Sequence, residues 1–507
     1  MDGSGSGKSA SYSIPNAYQC LGSYVFTDPK GELYDRTAGY LKEQGYDIKV
    51  LNLVRPQFSD GYNPLMHISS ELDVDVIANT IVKGQKTDSS SDPYWDDMAE
   101  MLLKALIYYL IATRPEEEQN LASCAELVRA ANKNGGSNLL SDLMSQLPYD
   151  HPARMYYKSI EIAPEKTYGS ILSSLQSKLG KFDSKDIAEL TSTDTIDFEE
   201  IGSKKTAVYV ISSDTHTAYD FLLTIFFSQM IQQLYDYADQ NGGRLKERTY
   251  FILDEFANIG KIPDFDKKIS TSRSRGISFS VILQNIDQLE AVYEKSYETI
   301  MGNCDTHVFL GSNSFKTVEY FSKQLGEKTI ERDSISINKD KQNHRTGKSV
   351  SDQVMARALM TPDELRRLDN DVCIIFEKGL KPIKTNKFYY FKHPMAKEMA
   401  KFEMSHNDIG EIERGTWRKY NPYNPYVEDK DEEKVNNLDI ESLDDLFNDI
   451  DEKKETKVAE PKEKNSLDDI LNLDDAPVLP QDEEDTYDLQ KELEAKFDEL
   501  FGPLDDN

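Results

Sequence analysis

The sequence predicts an α/β protein in which an all-α segment is inserted between strands of one mostly parallel sheet. Two short apolar runs near the start, Tyr24–Thr27 and Ile48–Leu53, have the β-branched and aromatic composition of strands. Such runs are scarce over residues 71–200, where apolar residues recur at helical spacing. Strand-like runs return after residue 200 with helical segments between several of them, which is typical of a doubly wound sheet.

These changes of pattern divide the chain into five parts. Residues 1–70 and 201–400 are predicted to be the two halves of the sheet domain, and residues 71–200 the all-α insertion. Residues 401–426 are interpreted as a linker, and residues 427–507 as a disordered tail.

Individual elements follow from the same patterns. The predicted helices of the insertion are Tyr94–Thr113, Asn120–Asn132, Asn138–Leu147 and Tyr168–Leu179. The predicted strands of the second half are Thr206–Ile211, Thr249–Leu253, Ser278–Leu283, His307–Leu310 and Val372–Phe376. A polar loop is expected at Asp333–Asp352, because that stretch lacks an apolar pattern.

The acidic charge of the chain is concentrated in the tail. The net charge is −31, and residues 427–507 contain 30 acidic and 9 basic side chains, so the overall balance says little against nucleic-acid binding elsewhere. Ser442–Asn448 is echoed by Ser466–Asn472, and Leu489–Phe501 has amphipathic spacing. Two interpretations stay open: short helices that dock in a partner's groove, or a solubilising tail with chance repeats.

Cysteine content and hydropathy argue against disulfide-rich, zinc-binding and membrane-spanning classes of protein. The four cysteines are far apart and show no Cys-x-x-Cys spacing, which argues against a disulfide framework and against a zinc site. No run approaches the roughly eighteen apolar residues of a membrane span, and the chain opens without a signal peptide. The sequence therefore predicts a chain that is soluble.

A phosphate-binding loop, or Walker A motif, is predicted at the start of the chain. Gly3, Gly5 and Gly7 let successive backbone N–H groups turn toward a phosphate. Lys8 would add positive charge at the β- and γ-phosphate oxygens, and Ser9 would offer a hydroxyl to Mg²⁺. An aspartate replaces the first glycine of the pattern and no strand precedes it, so we expect an N-terminally incomplete chain. The alternative is a flexible Gly/Ser leader.

A Walker B motif is predicted where a buried strand ends in two carboxylates. Tyr250–Leu253 is apolar and is followed by Asp254 and Glu255, at the edge where open α/β sheets bind ligands. Asp254 would hold Mg²⁺ through water, and Glu255 would polarise an attacking water. The alternative is a strand that ends in a charged turn.

Two further polar positions flank the next predicted strand. Gln284 follows that strand and could sense a γ-phosphate, whereas Arg273 and Arg275 precede it, and an arginine at this place could reach the nucleotide of a neighbouring subunit. The alternative for either arginine is a solvated loop charge or a DNA-phosphate contact. A second Gly-Lys-Ser, Gly347–Ser349, has no strand before it and is interpreted as a decoy.

Taken together, these segments resemble the type IV coupling proteins, the TraG/TraD family of conjugation and secretion. The resemblance covers about residues 3–400, in family order. It is carried by Thr27–Tyr34, Asn63–Leu65, Leu253–Gly260, Gln284–Tyr293 and Leu359–Leu368.

The resemblance implies a RecA-like P-loop ATPase with an inserted all-α domain, ATP and Mg²⁺ as cofactors, and a hexameric ring around DNA. It implies DNA contacts through the backbone, delivery of a relaxase–DNA complex or an effector to a type IV secretion channel, and a place at the cytoplasmic face of the bacterial plasma membrane. Glu255, Gln284 and Arg273 match the catalytic positions. The nucleotide-binding positions match Gly3, Gly5, Gly7, Lys8, Ser9 and Asp254, with Ser9 and Asp254 at the metal.

The chain also departs from the family pattern. Members usually begin with transmembrane helices that anchor the ring, and these are absent here together with the strand before Walker A. Two alternatives to an active motor therefore stay open. One is an ATPase-deficient receptor that binds substrates through its helical part and tail. The other is a DNA translocase of the FtsK type.

Overall fold

A computed structural model defines the helices and strands of the chain. It describes residues 7–84, 93–132, 138–213, 219–339, 346–410 and 412–426. The strands are β1 Ser23–Thr27, β2 Asp47–Asn52, β3 Thr206–Ile211, β4 Thr249–Leu253, β5 Ile277–Val281, β6 Thr306–Phe309, β7 Glu327–Lys339, β8 Thr346–Ala358, β9 Val372–Glu377 and β10 Ile383–Asn386. Gly3, Gly5 and the predicted tail over residues 427–507 lie outside the described residues.

Helices precede, separate and follow these strands. They are α1 Ile14–Ala17, α2 Glu32–Glu43, α3 Glu71–Lys83, α4 Pro93–Thr113, α5 Leu121–Asn132, α6 Leu139–Ser145, α7 Pro152–Glu161, α8 Glu165–Leu179, α9 Lys185–Leu190, α10 Phe198–Ser203, α11 Asp220–Gln240, α12 Phe265–Thr271, α13 Ile286–Tyr293, α14 Tyr297–Gly302, α15 Phe315–Leu325, α16 Pro362–Arg366 and α17 Ala396–Met399. None of these described helices is both long enough and apolar enough to cross a membrane.

The main sheet has five strands in the order β2-β3-β1-β4-β5, and every pairing in it is parallel. The α/β prediction is confirmed. All residues of β1 and β3 are buried, as expected for central strands that helices cover on both faces. The carboxyl ends of β1, β4 and β5 therefore meet at one edge of the sheet. That edge carries the polar residues that follow the strands.

Two predicted strands do not belong to this sheet. His307–Leu310 and Val372–Phe376 do form β6 and β9, but they pair antiparallel with each other, and β9 also pairs with β10. The expectation that they extend the parallel sheet was wrong. Their small separate core contains Phe309 and Ile374. A strand pattern in one sequence records burial and alternation, but not which strand is the partner.

The prediction of a polar loop at Asp333–Asp352 was also wrong. Most of this stretch lies in β7 and β8, whose antiparallel ladder runs from Glu327 opposite Ala358 to Lys339 opposite Thr346. A two-stranded ribbon satisfies its backbone groups by mutual pairing and needs no apolar stripe, so hydropathy does not reveal it. The second Gly-Lys-Ser lies within β8. Its extended backbone is unlike a phosphate-binding turn, which agrees with its interpretation as a decoy.

All described elements between β2 and β3 are helices. The four helices predicted there are confirmed, with ends shifted by a few residues in some cases. Leu103 and Leu106 of α4 are fully buried, and they share one core with Val25 and Val208 of the sheet. The helical segment therefore packs directly onto the sheet rather than around a separate core.

The described part of residues 401–426, predicted as a linker, packs along the surface of the sheet and of the helical segment. Arg414 donates to a backbone oxygen in the turn after β2. Further along, Arg418 Nε lies 2.9 Å from Oε1 of the buried Glu118. Tyr420 is only 5% exposed and lies against the helical segment. The extended stretch thus connects the sheet to the helical segment along its length.

Candidate nucleotide-binding site

The described part of the phosphate loop leads into a tight helical turn. Gly7 has a φ of +70°, a conformation that glycine adopts without steric cost. The backbone N–H and hydroxyl of Ser11 both donate to the Gly7 carbonyl, at 2.8 and 2.7 Å. A π-helical turn over Ser9–Ser13 follows and continues into α1. Lys8 therefore lies at the amino end of a helical segment, where backbone N–H groups and the helix dipole favour an anion.

Lys8 and Ser9 both face Asp254 at the end of β4. Lys8 Nζ lies 3.6 Å from Asp254 Oδ1, and the Ser9 hydroxyl donates to Asp254 Oδ2 at 3.3 Å. The hydroxyl of Thr27, at the end of β1, donates to the Asp254 carbonyl at 2.7 Å and fixes this corner. Burial raises the pKa of Asp254, and the opposite charge of Lys8 works against that rise. Lys8, Ser9 and Asp254 thus form one charged cluster, although Ser9 and Asp254 are 245 positions apart in the sequence.

Glu255 is oriented by two side-chain amides. Gln284 Nε2 donates to Glu255 Oε1 at 3.0 Å, and Asn258 Nδ2 donates to Glu255 Oε2 at 3.1 Å. The backbone of Glu255 has a φ of +51°, a left-handed conformation that is uncommon for a residue with a side chain. The sequence indicated Glu255 and Gln284 as separate site residues, but it indicated neither their contact nor Asn258. Asn258 lies three residues after the carboxylate, in the short helix Phe256–Ile259, and no sequence pattern distinguishes it.

Arg273 does not join this cluster. It precedes β5, whereas Gln284 follows it, so the two lie at opposite edges of the sheet. Arg273 is 87% exposed and lies 3.6 Å from Asp305. Arg275, by contrast, donates two hydrogen bonds to Asp239, at 2.9 and 3.0 Å. The two arginines therefore differ in the structure: Arg275 is paired with Asp239 of its own chain, and the side chain of Arg273 is mostly exposed to solvent.

Asp28, which directly follows β1, caps α2 beside this edge. It is 3% exposed, and its Oδ2 accepts the backbone N–H of Tyr34 at 2.8 Å. Burial is the largest cause that raises the Asp28 pKa to about 7, and the nearby Asp35 adds to it. His406 acts in the opposite direction. Asp28 thus has a structural task next to the phosphate loop.

We expect Asp28→Asn to change how stability depends on pH. Because the pKa of Asp28 is about 7 in the folded chain and near 4 in an unfolded one, the folded state binds the proton more tightly. The stability that the protonated Asp28 contributes is fully present below pH 4 and is then lost as the pH rises to 7. Asparagine stays neutral and can still accept the N–H of Tyr34. As the pH rises from 5 to 7, the free energy of unfolding of the variant should increase by about 2 kcal/mol relative to that of wild type, as measured by urea unfolding. Parallel pH curves would contradict this.

Other parts of the described chain offer less specific chemistry. Among the described residues, no group of three or more His, Cys, Asp or Glu side chains is arranged to hold a metal ion. A groove of about 980 Å³ lies along the second half of α11. It is lined by Asp194, Asp197, Asp236 and Asp239 among others, so its charge would repel DNA phosphates. The phosphate-loop edge therefore remains the candidate site.

Comparisons with known proteins agree with this fold. TrwB in complex with the non-hydrolysable ATP analogue ADPNP has 18% identity and a TM-score of 0.54, over 82% of this chain and 87% of TrwB. The unbound TrwBdeltaN70 has 19% identity and a TM-score of 0.53, over 76% of this chain and 82% of its own. At these identities the likeness concerns the fold alone, which is the RecA-like P-loop fold.

Curated proteins and a family model extend the comparison. Conjugal transfer protein TraG of Escherichia coli is 25% identical over 427 residues, which cover 77% of this chain and 66% of TraG. VirD4 of Rhizobium radiobacter is 25% identical over 419 residues, which cover 78% of this chain and 57% of VirD4. The chain thus spans about two thirds or less of the length of these relatives. The model of the family described as Type IV secretory system Conjugative DNA transfer matches residues 1–410. The chain therefore belongs to the conjugative DNA transfer family of type IV secretory systems.

Proposed function

We propose that this chain is the ATP-hydrolysing part of a conjugative coupling protein that drives DNA toward a type IV secretion channel. One observation carries the proposal: the side chains that we expect to bind phosphate, hold Mg²⁺ and activate water lie together at one sheet edge. They are Lys8, Ser9, Asp254, Glu255 and Gln284. Family membership favours this function over that of an FtsK-type translocase.

The proposed cofactors are ATP and Mg²⁺. Mg²⁺ prefers oxygen ligands and keeps several waters, so a hydroxyl and a carboxylate beside bound phosphates are a suitable donor set. Ser9 and Asp254 supply that pair, with their oxygens 3.3 Å apart. A bound Mg²⁺ would neutralise charge on the β- and γ-phosphate oxygens. Lys8, which faces Asp254 in the structure, would turn toward the same oxygens.

In the proposed mechanism Glu255 orients and polarises the attacking water. Its two oxygens accept hydrogen bonds from Gln284 and Asn258, so the carboxylate is held in one orientation. Gln284 also stands at the tip of the strand beside the Walker B strand, where its amide could contact a γ-phosphate. We infer that one amide thereby links the state of the phosphate to the position of the carboxylate.

The wider assignments are also proposals. We propose a homo-hexameric ring with DNA in its channel, bound through phosphates in a salt-sensitive way. The exposed Arg273 would act on the nucleotide of the next subunit. The partners would be a relaxase–DNA complex or an effector, and components of the secretion channel. The place of action would be the cytoplasmic face of the bacterial plasma membrane.

DNA-stimulated ATP turnover tests the proposal. We expect Lys8→Ala to lower turnover by about 100-fold or more, because its charge stabilises the transferred phosphoryl group. Lys348→Ala, in the other Gly-Lys-Ser, is the matched control and should leave turnover unchanged. If wild type shows no turnover, or if Lys8→Ala equals wild type, the motor assignment fails. The ATPase-deficient receptor would then be favoured.

A further inference from the structure

Four consecutive aromatic residues follow β10, and one of them, Tyr389, lies against the phosphate loop. We refer to Phe388–Phe391 as the aromatic segment. A methyl group added at Gly7 would lie only 2.9 Å from Cε1 of Tyr389, so this ring is in contact with the loop backbone next to Lys8. Tyr390 packs against the core that contains Ile14 of α1. The aromatic segment is thus fixed to both the loop and the helix that follows it.

Within this segment, Tyr389 is held in place and Phe391 is not covered. The Tyr389 hydroxyl donates to the Asn370 carbonyl at 3.3 Å, and Lys392 Nζ lies 4.9 Å from the centre of its ring. Phe391 stacks on Tyr389 with ring centres 5.1 Å apart and an angle of 16° between planes. Phe391 nevertheless remains 57% exposed. The result is a flat apolar surface on a fixed support, at the border of a phosphate-binding loop.

We propose that Phe391, supported by Tyr389, is the surface on which the base of the bound nucleotide stacks. The inference rests on the proposed function, because it assumes a nucleotide whose phosphates are bound at Lys8. Such a nucleotide extends its ribose and base beyond the loop, and Phe391 stacks on Tyr389, the ring that contacts the loop. Every base has a π-face, so stacking adds affinity without selecting one base.

The location favours a nucleotide base over another occupant. An exposed aromatic ring could also contact a second copy of the chain, but Phe391 is supported by Tyr389, whose contact with the phosphate loop points to a ligand that is bound by the loop itself. Phe388 is an internal comparison. It is similarly exposed, at 54%, but its aromatic neighbour is His393 rather than Tyr389. The stacking surface is therefore assigned to Phe391 alone, and Phe388 is the matched control.

Calorimetric titration with Mg-ATP and with Mg-tripolyphosphate tests the inference. Stacking on an aromatic ring contributes enough that Phe391→Ala should weaken ATP binding by roughly tenfold or more. Tripolyphosphate has no base, so its affinity should change less than about twofold. Phe391→Tyr should restore ATP affinity, and Phe388→Ala should leave both affinities unchanged.

The possible failures are distinguishable. If Phe391→Ala weakens ATP and tripolyphosphate equally, or weakens neither, the stacking role is overturned while the phosphate site stands. If wild type binds neither ligand, the nucleotide site itself is overturned, and this inference with it. If Phe391→Ala changes the sedimentation of the chain but not its ATP affinity, the ring belongs to an interface between copies, which also overturns the inference.

Discussion

Glu255→Gln is expected to abolish ATP turnover while ATP binding persists. The amide has nearly the shape of the carboxylate, but it cannot accept a proton from the attacking water or polarise it with a negative charge. Positioned general bases contribute about 10²–10⁴-fold, so kcat should fall by at least about 100-fold. Lys8, Ser9 and Asp254 keep their contacts, so the dissociation constant of ATP should stay within about threefold of wild type. Steady-state turnover and calorimetric titration measure the two quantities.

The geometry around Glu255 supplies the controls. Glutamine keeps the left-handed backbone at this position, where φ is +51°, so the variant should unfold at nearly the wild-type temperature. Glu43→Gln, at the exposed end of α2, removes a carboxylate elsewhere and should not change turnover. Asn258→Ala removes one of the two amide donors to Glu255 and should lower kcat by a smaller factor. If Glu255→Gln retains a tenth of wild-type turnover, Glu255 is not the catalytic base.

The charged cluster of Lys8, Ser9 and Asp254 illustrates which parts of this molecule a sequence can predict. Lys8 and Asp254 are 246 positions apart, yet their proximity was predictable because a phosphate loop and a buried parallel strand both end at the same sheet edge. Gln284 was predictable for the same reason. These inferences needed only the direction of strands and the chemistry of the residues that follow them.

Contacts that depend on the path of irregular chain were not predictable in this way. The ring of Tyr389 reaches Gly7 because the chain turns back after β10, and no periodicity records that turn. The antiparallel partner of β6 is β9, more than sixty positions away, with the β7–β8 ribbon between them. A short polar residue such as Asn258 has no distinguishing pattern until the backbone of Glu255 is known. Local composition predicts elements, whereas long-range turns decide which elements meet.

Arg273→Ala is expected to reduce turnover of the proposed ring by about 10³-fold or more, the usual contribution of an arginine that stabilises phosphoryl transfer from a neighbouring subunit. The five residues of β5 separate Arg273 from the Glu255 edge of its own chain by at least about 15 Å. Arg273 therefore cannot reach its own nucleotide. Nucleotide binding should be unaffected, and the loss should appear in kcat at saturating ATP and DNA.

Mixing two inactive variants separates action on a neighbour from every other role of Arg273. In a ring formed from equal amounts of Arg273→Ala and Glu255→Gln subunits, roughly a quarter of the sites pair an intact Glu255 with an intact arginine next to it. Turnover should therefore return, although each variant alone is inactive. Arg275→Ala breaks the pair with Asp239 within one chain, so we expect it to lower stability. If Arg273 contacts DNA phosphates instead, Arg273→Ala would weaken DNA binding, saturating DNA would restore kcat, and mixing would add nothing.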